Sequence, residues 1–222
     1  GQCDIVVGTH ALFQDKVSFH KLGFVVIDEQ HRFGVEQRQK LLAKGHKMPH
    51  LLAMTATPIP RSLQLTVYGE LDISILNQKP AARKDIETHI ISPNSRDAMY
   101  DAIEVQLAMG RQAYVICPRI EAGDDEQASV EEEQKRLQRS VFKHRRIGLL
   151  HGKLSAEAKD DVMRRFASGD LDILVSTTVV EVGVDVPNAT AIIIEGADRF
   201  GLAQLHQLRG RVGRSELQSY CY

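Results

Sequence analysis

Short apolar, β-branched runs alternate along the chain with longer stretches in which apolar residues return every three or four positions. The short runs predict strands at Asp4–Gly8, Phe24–Asp28, Leu51–Thr55, Leu71–Leu76, Glu87–Ser92, Gln112–Cys117, Arg146–Leu150, Asp172–Ser176 and Ala191–Glu195. They are apolar throughout and do not alternate, as expected of strands covered on both faces. The longer stretches predict helices at Val35–Lys44, Pro60–Tyr68, Arg96–Met109, Gln127–Phe142, Ala156–Ser168 and Leu202–Arg209. In the fifth of these, Ala158, Val162 and Phe166 mark the buried stripe. Strand then helix, repeated, is the pattern of an α/β fold whose mainly parallel sheets are sandwiched by helices.

One stretch breaks the alternation. Asn77-Gln78-Lys79-Pro80-Ala81-Ala82-Arg83-Lys84 is polar, holds a proline and precedes a fresh strand. It divides residues 1–78 from residues 79–222. The first piece holds too few strands for a complete α/β domain, whereas the second is long enough for one. The chain opens on Gly-Gln and enters an apolar run almost at once; it ends at Ser219-Tyr220-Cys221-Tyr222, which reads as an unfinished strand. The expectation is a piece of a longer protein.

Composition narrows the picture modestly. Hydrophobic residues make up 43% of the 222 and charged residues 26%, ordinary proportions for a soluble globular domain. A net charge of −1 argues against a uniformly basic coat but leaves room for a local basic face. Tryptophan is absent, so no base-stacking surface is evident. Cys3, Cys117 and Cys221 are far apart and form no metal-ligand spacing. Reduced thiols, no long apolar run and no signal peptide point to a cytosolic protein.

Four segments carry chemistry. Val25-Val26-Ile27-Asp28-Glu29-Gln30-His31 is an apolar strand that ends in two adjacent carboxylates. Open α/β sheets bind ligands beyond the carboxyl ends of their strands. An aspartate there can hold Mg²⁺ through water, and a neighbouring glutamate can deprotonate an attacking water. An ordinary acidic turn is the plainer alternative. Met54-Thr55-Ala56-Thr57-Pro58 places two hydroxyls after another strand, suited to bonding the acidic loop or to capping a helix. Ser176-Thr177-Thr178 through Gly183-Val184-Asp185 follows a buried strand with hydroxyls that can hold a nucleic-acid phosphate. Asp185 is suited either to the nucleotide or to the arginine segment. That segment, Gln207-Leu208-Arg209-Gly210-Arg211-Val212-Gly213-Arg214, offers guanidinium forks that fit phosphate oxygens.

In this order the segments resemble the motifs of superfamily 2 helicases of DExH type, over essentially the whole chain. The longer strings Asp28-Glu29-Gln30-His31-Arg32-Phe33-Gly34-Val35 and Gly201 through Arg214, with Gly8-Thr9-His10-Ala11-Leu12, look like the RecG family, bacterial translocases that remodel branched DNA in recombination and repair. The transcription-repair coupling factor Mfd shares much of this. Gln30 and the segment Gly110–Cys117 look more like RecG. The resemblance implies two RecA-like lobes that clasp ATP, the first incomplete here. Asp28 would bind Mg²⁺, Glu29 would activate water, and Arg211 and Arg214 would act as arginine fingers. Gln30, His31, Thr55, Thr57, Gly183, Asp185 and Gln207 would bind ATP or couple its state to the DNA grip. Thr9, His10, Thr177 and His151 would lie along the DNA.

The sequence departs from the family in one respect. It contains no G-x-x-x-x-G-K-[ST] phosphate loop. The nearest string, Gly148-Leu149-Leu150-His151-Gly152-Lys153-Leu154, has its glycines too close and no terminal hydroxyl, so a structural turn is the better reading. By itself the chain is expected to hydrolyse no ATP. His20, His46, His50, His89 and His144 lack partners at ligand spacing. A non-hydrolysing nucleic-acid-binding module and an RNA helicase of the same superfamily stay open as alternatives.

Overall fold

The computed structural model describes residues 3–29, 33–55, 72–76, 78, 83–118, 126–177 and 185–222. The chain divides into two compact units, Gly1–Leu71 and Asp72–Tyr222. The division falls a few residues before the proline-containing stretch.

In the first unit, β1 (Phe24–Ile27) and β2 (His50–Ala53) pair in parallel, with Phe24 opposite His50 and Ile27 opposite Ala53. Helix α1 (Val35–Leu42) connects them. One face of the pair buries Val25 and Ile27 against Leu41, with Phe13, Phe19, Leu22, Phe33 and Leu51 packed around them. On the other face Phe24, Val26, Leu52 and Met54 are exposed. A 3-10 turn, His10–Phe13, precedes the sheet. Lys44 donates from Nζ to the carbonyls of Gln14 and Val17, at 2.5 and 2.7 Å, and ties the end of α1 to the segment after that turn.

Two expected strands do not form. Ile5 and Val7 are almost fully exposed, and residues 3–8 pair with no strand among the described residues. A β-branched run has a strand preference, but the preference is realised through packing and pairing. Residues 72–76 likewise form no strand, and Leu76 is exposed. The helix expected over Pro60–Tyr68 lies outside the described residues.

The second unit is built on six parallel strands: β3 (Glu87–Thr88), β4 (Gln112–Ile116), β5 (Ile147–Leu150), β6 (Ile173–Ser176), β7 (Ala189–Ile194) and β8 (Tyr220–Cys221). Their spatial order is β3-β8-β7-β4-β6-β5. Every residue of β4, β6 and β7 is buried, as continuous apolar runs require of central parallel strands. Helices α2 (Arg96–Ala108) and α3 (Glu126–Arg136) cover one face, where Ile103, Leu107, Val130 and Leu137 meet Val115, Val175 and Ile193. Helices α4 (Ala156–Ala167) and α5 (Leu202–Arg209) cover the other, where Phe166 and Leu208 meet Tyr114, Leu174 and Ile192.

Local chemistry sets the ends of these elements. Ser155 caps α4, its side chain accepting the Ala158 amide at 3.2 Å. Gly110, at φ +78, turns the chain from α2 into β4. The helix expected to reach Phe142 is α-helical only to Arg136 and continues as a π turn over Leu137–Val141. Strand β3 is shorter than expected and pairs with Tyr220 and Cys221 of β8. Inside the sheet, Gln112 donates from Nε2 to the carbonyls of Phe166 and Leu171 and so satisfies a buried amide. No described helix is long and apolar enough to cross a membrane.

Candidate nucleotide and nucleic-acid sites

Strand β1 delivers Asp28 and Glu29 at its carboxyl end. Asp28 is exposed, and its Oδ1 accepts the Glu29 amide at 2.8 Å. Glu29 has φ +49 and, among the described residues, is the non-glycine residue with a left-handed backbone. Glutamate has no intrinsic preference for that region, so the loop imposes it, at a strain of about 1–3 kcal/mol. The parallel pairing runs one step further, the Met54 amide donating to the Ile27 carbonyl at 2.8 Å. Thr55 therefore emerges at the same end of the sheet as the acid pair. Gln30, His31 and Thr57 lie outside the described residues. Thr9 stands at the start of the His10–Phe13 turn, and both Thr9 and His10 are exposed. The His10 ring lies parallel to Phe33, centroids 4.4 Å apart.

Asp28 suits Mg²⁺, which keeps most of its waters and takes one or two protein carboxylates beside substrate phosphates. An exposed carboxylate at a strand end, held by one backbone amide, meets that need. Among the described residues no group of three or more His, Cys, Asp or Glu is assembled as a closed metal cage.

The second unit holds two further groupings, in separate places. His151 follows β5 and Thr177 follows β6; the strands are neighbours, and the Thr177 amide donates to the Leu150 carbonyl at 3.4 Å. His151 is 5% exposed and Thr177 is fully buried. Neither His151 Nδ1 nor Thr177 Oγ1 has a hydrogen-bond partner among the described residues. Buried polar atoms are rarely left so, and a ligand or water is the usual complement. Both lie at the carboxyl edge, where parallel sheets receive ligands.

The other grouping surrounds the end of α5. Arg214 Nη1 lies 3.6 Å from Asp185 Oδ1, and Arg214 Nε donates to the Gly210 carbonyl at 3.2 Å. Of the two uses expected for Asp185, the structure shows the link to the arginine segment. Val212 and Leu208 anchor this segment in the core, between the half-buried Arg211 and Arg214 and beside the half-buried Gln207. Gly213, at φ +74, lies so close to Ile86 that a Cβ would come within 2.7 Å of its side chain. Gly183 lies outside the described residues.

Tyr114 was not expected among these residues. Burial pushes its phenol up to about 12, while Arg214 and Arg211 pull it down and Asp185 raises it. It therefore lies within the field of all three. Its place in an apolar strand gives no sequence signal for this. The Gly148–Leu154 string is a strand and turn: Gly148 sits within β5, where a Cβ would come within 2.6 Å of Leu171.

Comparison with known proteins decides the family. Residues 95–216 match the helicase conserved C-terminal domain, and residues 1–66 match the DEAD/DEAH box helicase domain. The chain belongs to the helicase conserved C-terminal domain family. It is 55% identical to the ATP-dependent DNA helicase RecG of Synechocystis sp. and 54% identical to that of Bacillus subtilis, in both cases over its whole length. It spans 27% and 32% of those relatives. A solved structure of RecG bound to a three-way DNA junction matches the whole chain with a TM-score of 0.77 and 48% identity, over 28% of that structure's chain. The RecG likeness expected from the motifs thus extends across all of this sequence, and the α/β, RecA-like architecture expected of a helicase is the one observed.

Proposed function

We propose that this chain is the motor portion of an ATP-dependent DNA translocase that acts on branched DNA in bacterial recombination and repair. The residues up to the proline-containing stretch form the carboxyl-terminal part of the ATP-binding lobe, and residues 79–222 form the second lobe. The observation that carries this reading is the strained carboxylate pair: a parallel strand with one buried face leads into Asp28, and Glu29 is held in a left-handed backbone beside it. Strain stored at a strand end points to chemistry rather than to packing.

In the intact protein Asp28 would hold Mg²⁺ through water, and the ion would offset the charge of the phosphoryl group that ATP carries. Glu29 accepts the proton of the attacking water, and Arg211 and Arg214 offer guanidinium charge to the phosphoryl oxygens. Asp185, paired with Arg214 in this structure, sets where that guanidinium rests. Thr55, Thr57, Gln30, His31, Gly183 and Gln207 relay nucleotide state. Thr9, His10, Thr177 and His151 hold the DNA backbone, for which the unpartnered Thr177 hydroxyl and His151 Nδ1 provide support. A DNA-acting motor of this kind belongs in the bacterial cytoplasm with the chromosome, a reading that the similarity to bacterial RecG proteins supports.

Phosphate release by the intact protein with forked duplex DNA tests the assignment. Glu29→Gln should lower turnover by about 10²–10⁴-fold. Arg211→Ala should lower it by about 10³-fold or more. Turnover of either variant within twofold of wild type would remove the residue from the mechanism. The 222-residue chain alone, lacking a G-x-x-x-x-G-K-[ST] loop, should release no phosphate above background in a malachite-green assay.

A further inference from the structure

We propose that Phe33 is a positioning residue that couples the acid-pair loop to the DNA-gripping turn within the first unit. Three rings form a closed set. His10 and Phe33 stack with centroids 4.4 Å apart and planes 19° from parallel. Phe13 meets both edge-on, at 5.9 Å from His10 and 5.3 Å from Phe33. His10 opens the 3-10 turn and Phe13 closes it, so Phe33 touches both ends. That turn has no side-chain cap and no buried residue of its own. The Leu12 amide donates to the Thr9 carbonyl and the Gln14 amide to the Ala11 carbonyl, but both bonds are local. Beside the packing of Phe13 and the Lys44 tie just after the turn, the ring contacts with Phe33 set how the turn sits against the body of the unit.

Phe33 is also anchored on the other side. It packs with Phe13 against Val25 and Ile27, two residues of the strand that ends in Asp28 and Glu29. Phe33 follows Glu29 by four positions in the sequence. A displacement of the end of β1 when nucleotide binds is passed to Phe33 through this packing, and from its ring to His10. By thermodynamic reciprocity, DNA that fixes the His10 turn restrains the same strand end and favours the hydrolytic arrangement. Offset stacks and edge contacts have narrow geometry, so they transmit a displacement that a purely greasy contact would absorb. This coupling rests on the reading given above, in which Asp28 and Glu29 serve ATP and Thr9 and His10 serve DNA.

The test uses the intact protein and compares ATP hydrolysis without DNA and with saturating forked duplex. Phe33→Leu keeps an apolar side chain against Val25 and Ile27 but loses the stack. It should hydrolyse ATP without DNA at the wild-type rate and keep its thermal midpoint, while DNA stimulation falls by roughly five- to tenfold. Phe33→Tyr restores the ring and should restore stimulation. If Phe33→Leu fails to fold, Phe13→Leu removes the edge contacts instead and should weaken stimulation by a smaller factor. Full stimulation of the folded leucine variant overturns the coupling, as does a parallel fall of both rates, which marks packing alone. A wild-type protein that DNA does not stimulate overturns the DNA reading, and the coupling with it; the wild-type arm thus separates the two failures.

Discussion

The two units solve the same packing problem to different extents. In the second, a parallel sheet is apolar on both faces and covered on both, with Ile103 and Leu107 on one side and Phe166 and Leu208 on the other. In the first, two parallel strands bury Val25 and Ile27 on one face and leave Phe24, Val26, Leu52 and Met54 exposed on the other. The acid pair nevertheless stands at the end of the sparser sheet. Among the described residues, the strand end that carries the acid pair is thus held by one covered face and by α1, while the larger buried core lies in the second unit.

The widest contrast should appear in the cores. Phe166→Ala empties a fully buried ring site beside Tyr114 and should destabilise the second unit by about 3–5 kcal/mol. Leu52→Ala, on the exposed face of the first, should cost no more than about 0.5 kcal/mol. Urea unfolding of the 222-residue chain, followed by circular dichroism, measures both, and equal losses would erase the distinction between the units. Ser155→Ala removes the α4 cap and should cost about 1 kcal/mol. Its effect should fall on the second unit alone, seen as faster amide exchange in α4 with the amides of β1 unchanged.

The smallest effect is a pH dependence. Burial pushes the Asp172 carboxyl up, but the Arg146 side chain and backbone amide both donate to it and together hold it below its ordinary value of 3.8. A carboxylate lowered in the fold stabilises it fully above the unfolded value, and that contribution fades as pH falls through the folded one. Asp172→Asn should therefore flatten the acid limb of the second unit's stability below about pH 5. An unchanged limb would show the pair to be screened by solvent.

Much of this was written in the chain order. Strands β4, β6 and β7 were legible because a fully buried parallel strand must be apolar at every position. The Asp4–Gly8 run carried similar residue types but pairs with no strand among the described residues, and no sequence window reports whether a neighbour exists. The acid pair was legible as a strand end; the left-handed backbone of Glu29 was not, since glutamate carries no mark of it. Asp185 was readable only to two alternatives, a nucleotide role or a link to the arginine segment, and its Oδ1 lies 3.6 Å from Arg214 Nη1. Tyr114 and the His10–Phe33 stack depend on tertiary proximity and left no local trace.

The backbone at residue 29 has a consequence for anyone engineering this chain. Glycine would occupy that conformation without penalty, so a library sorted for heat resistance alone should drift toward glycine there. On the proposed mechanism the same drift would leave a sturdier molecule that no longer turns over its fuel. Thermal robustness and work output pull this one position in opposite directions.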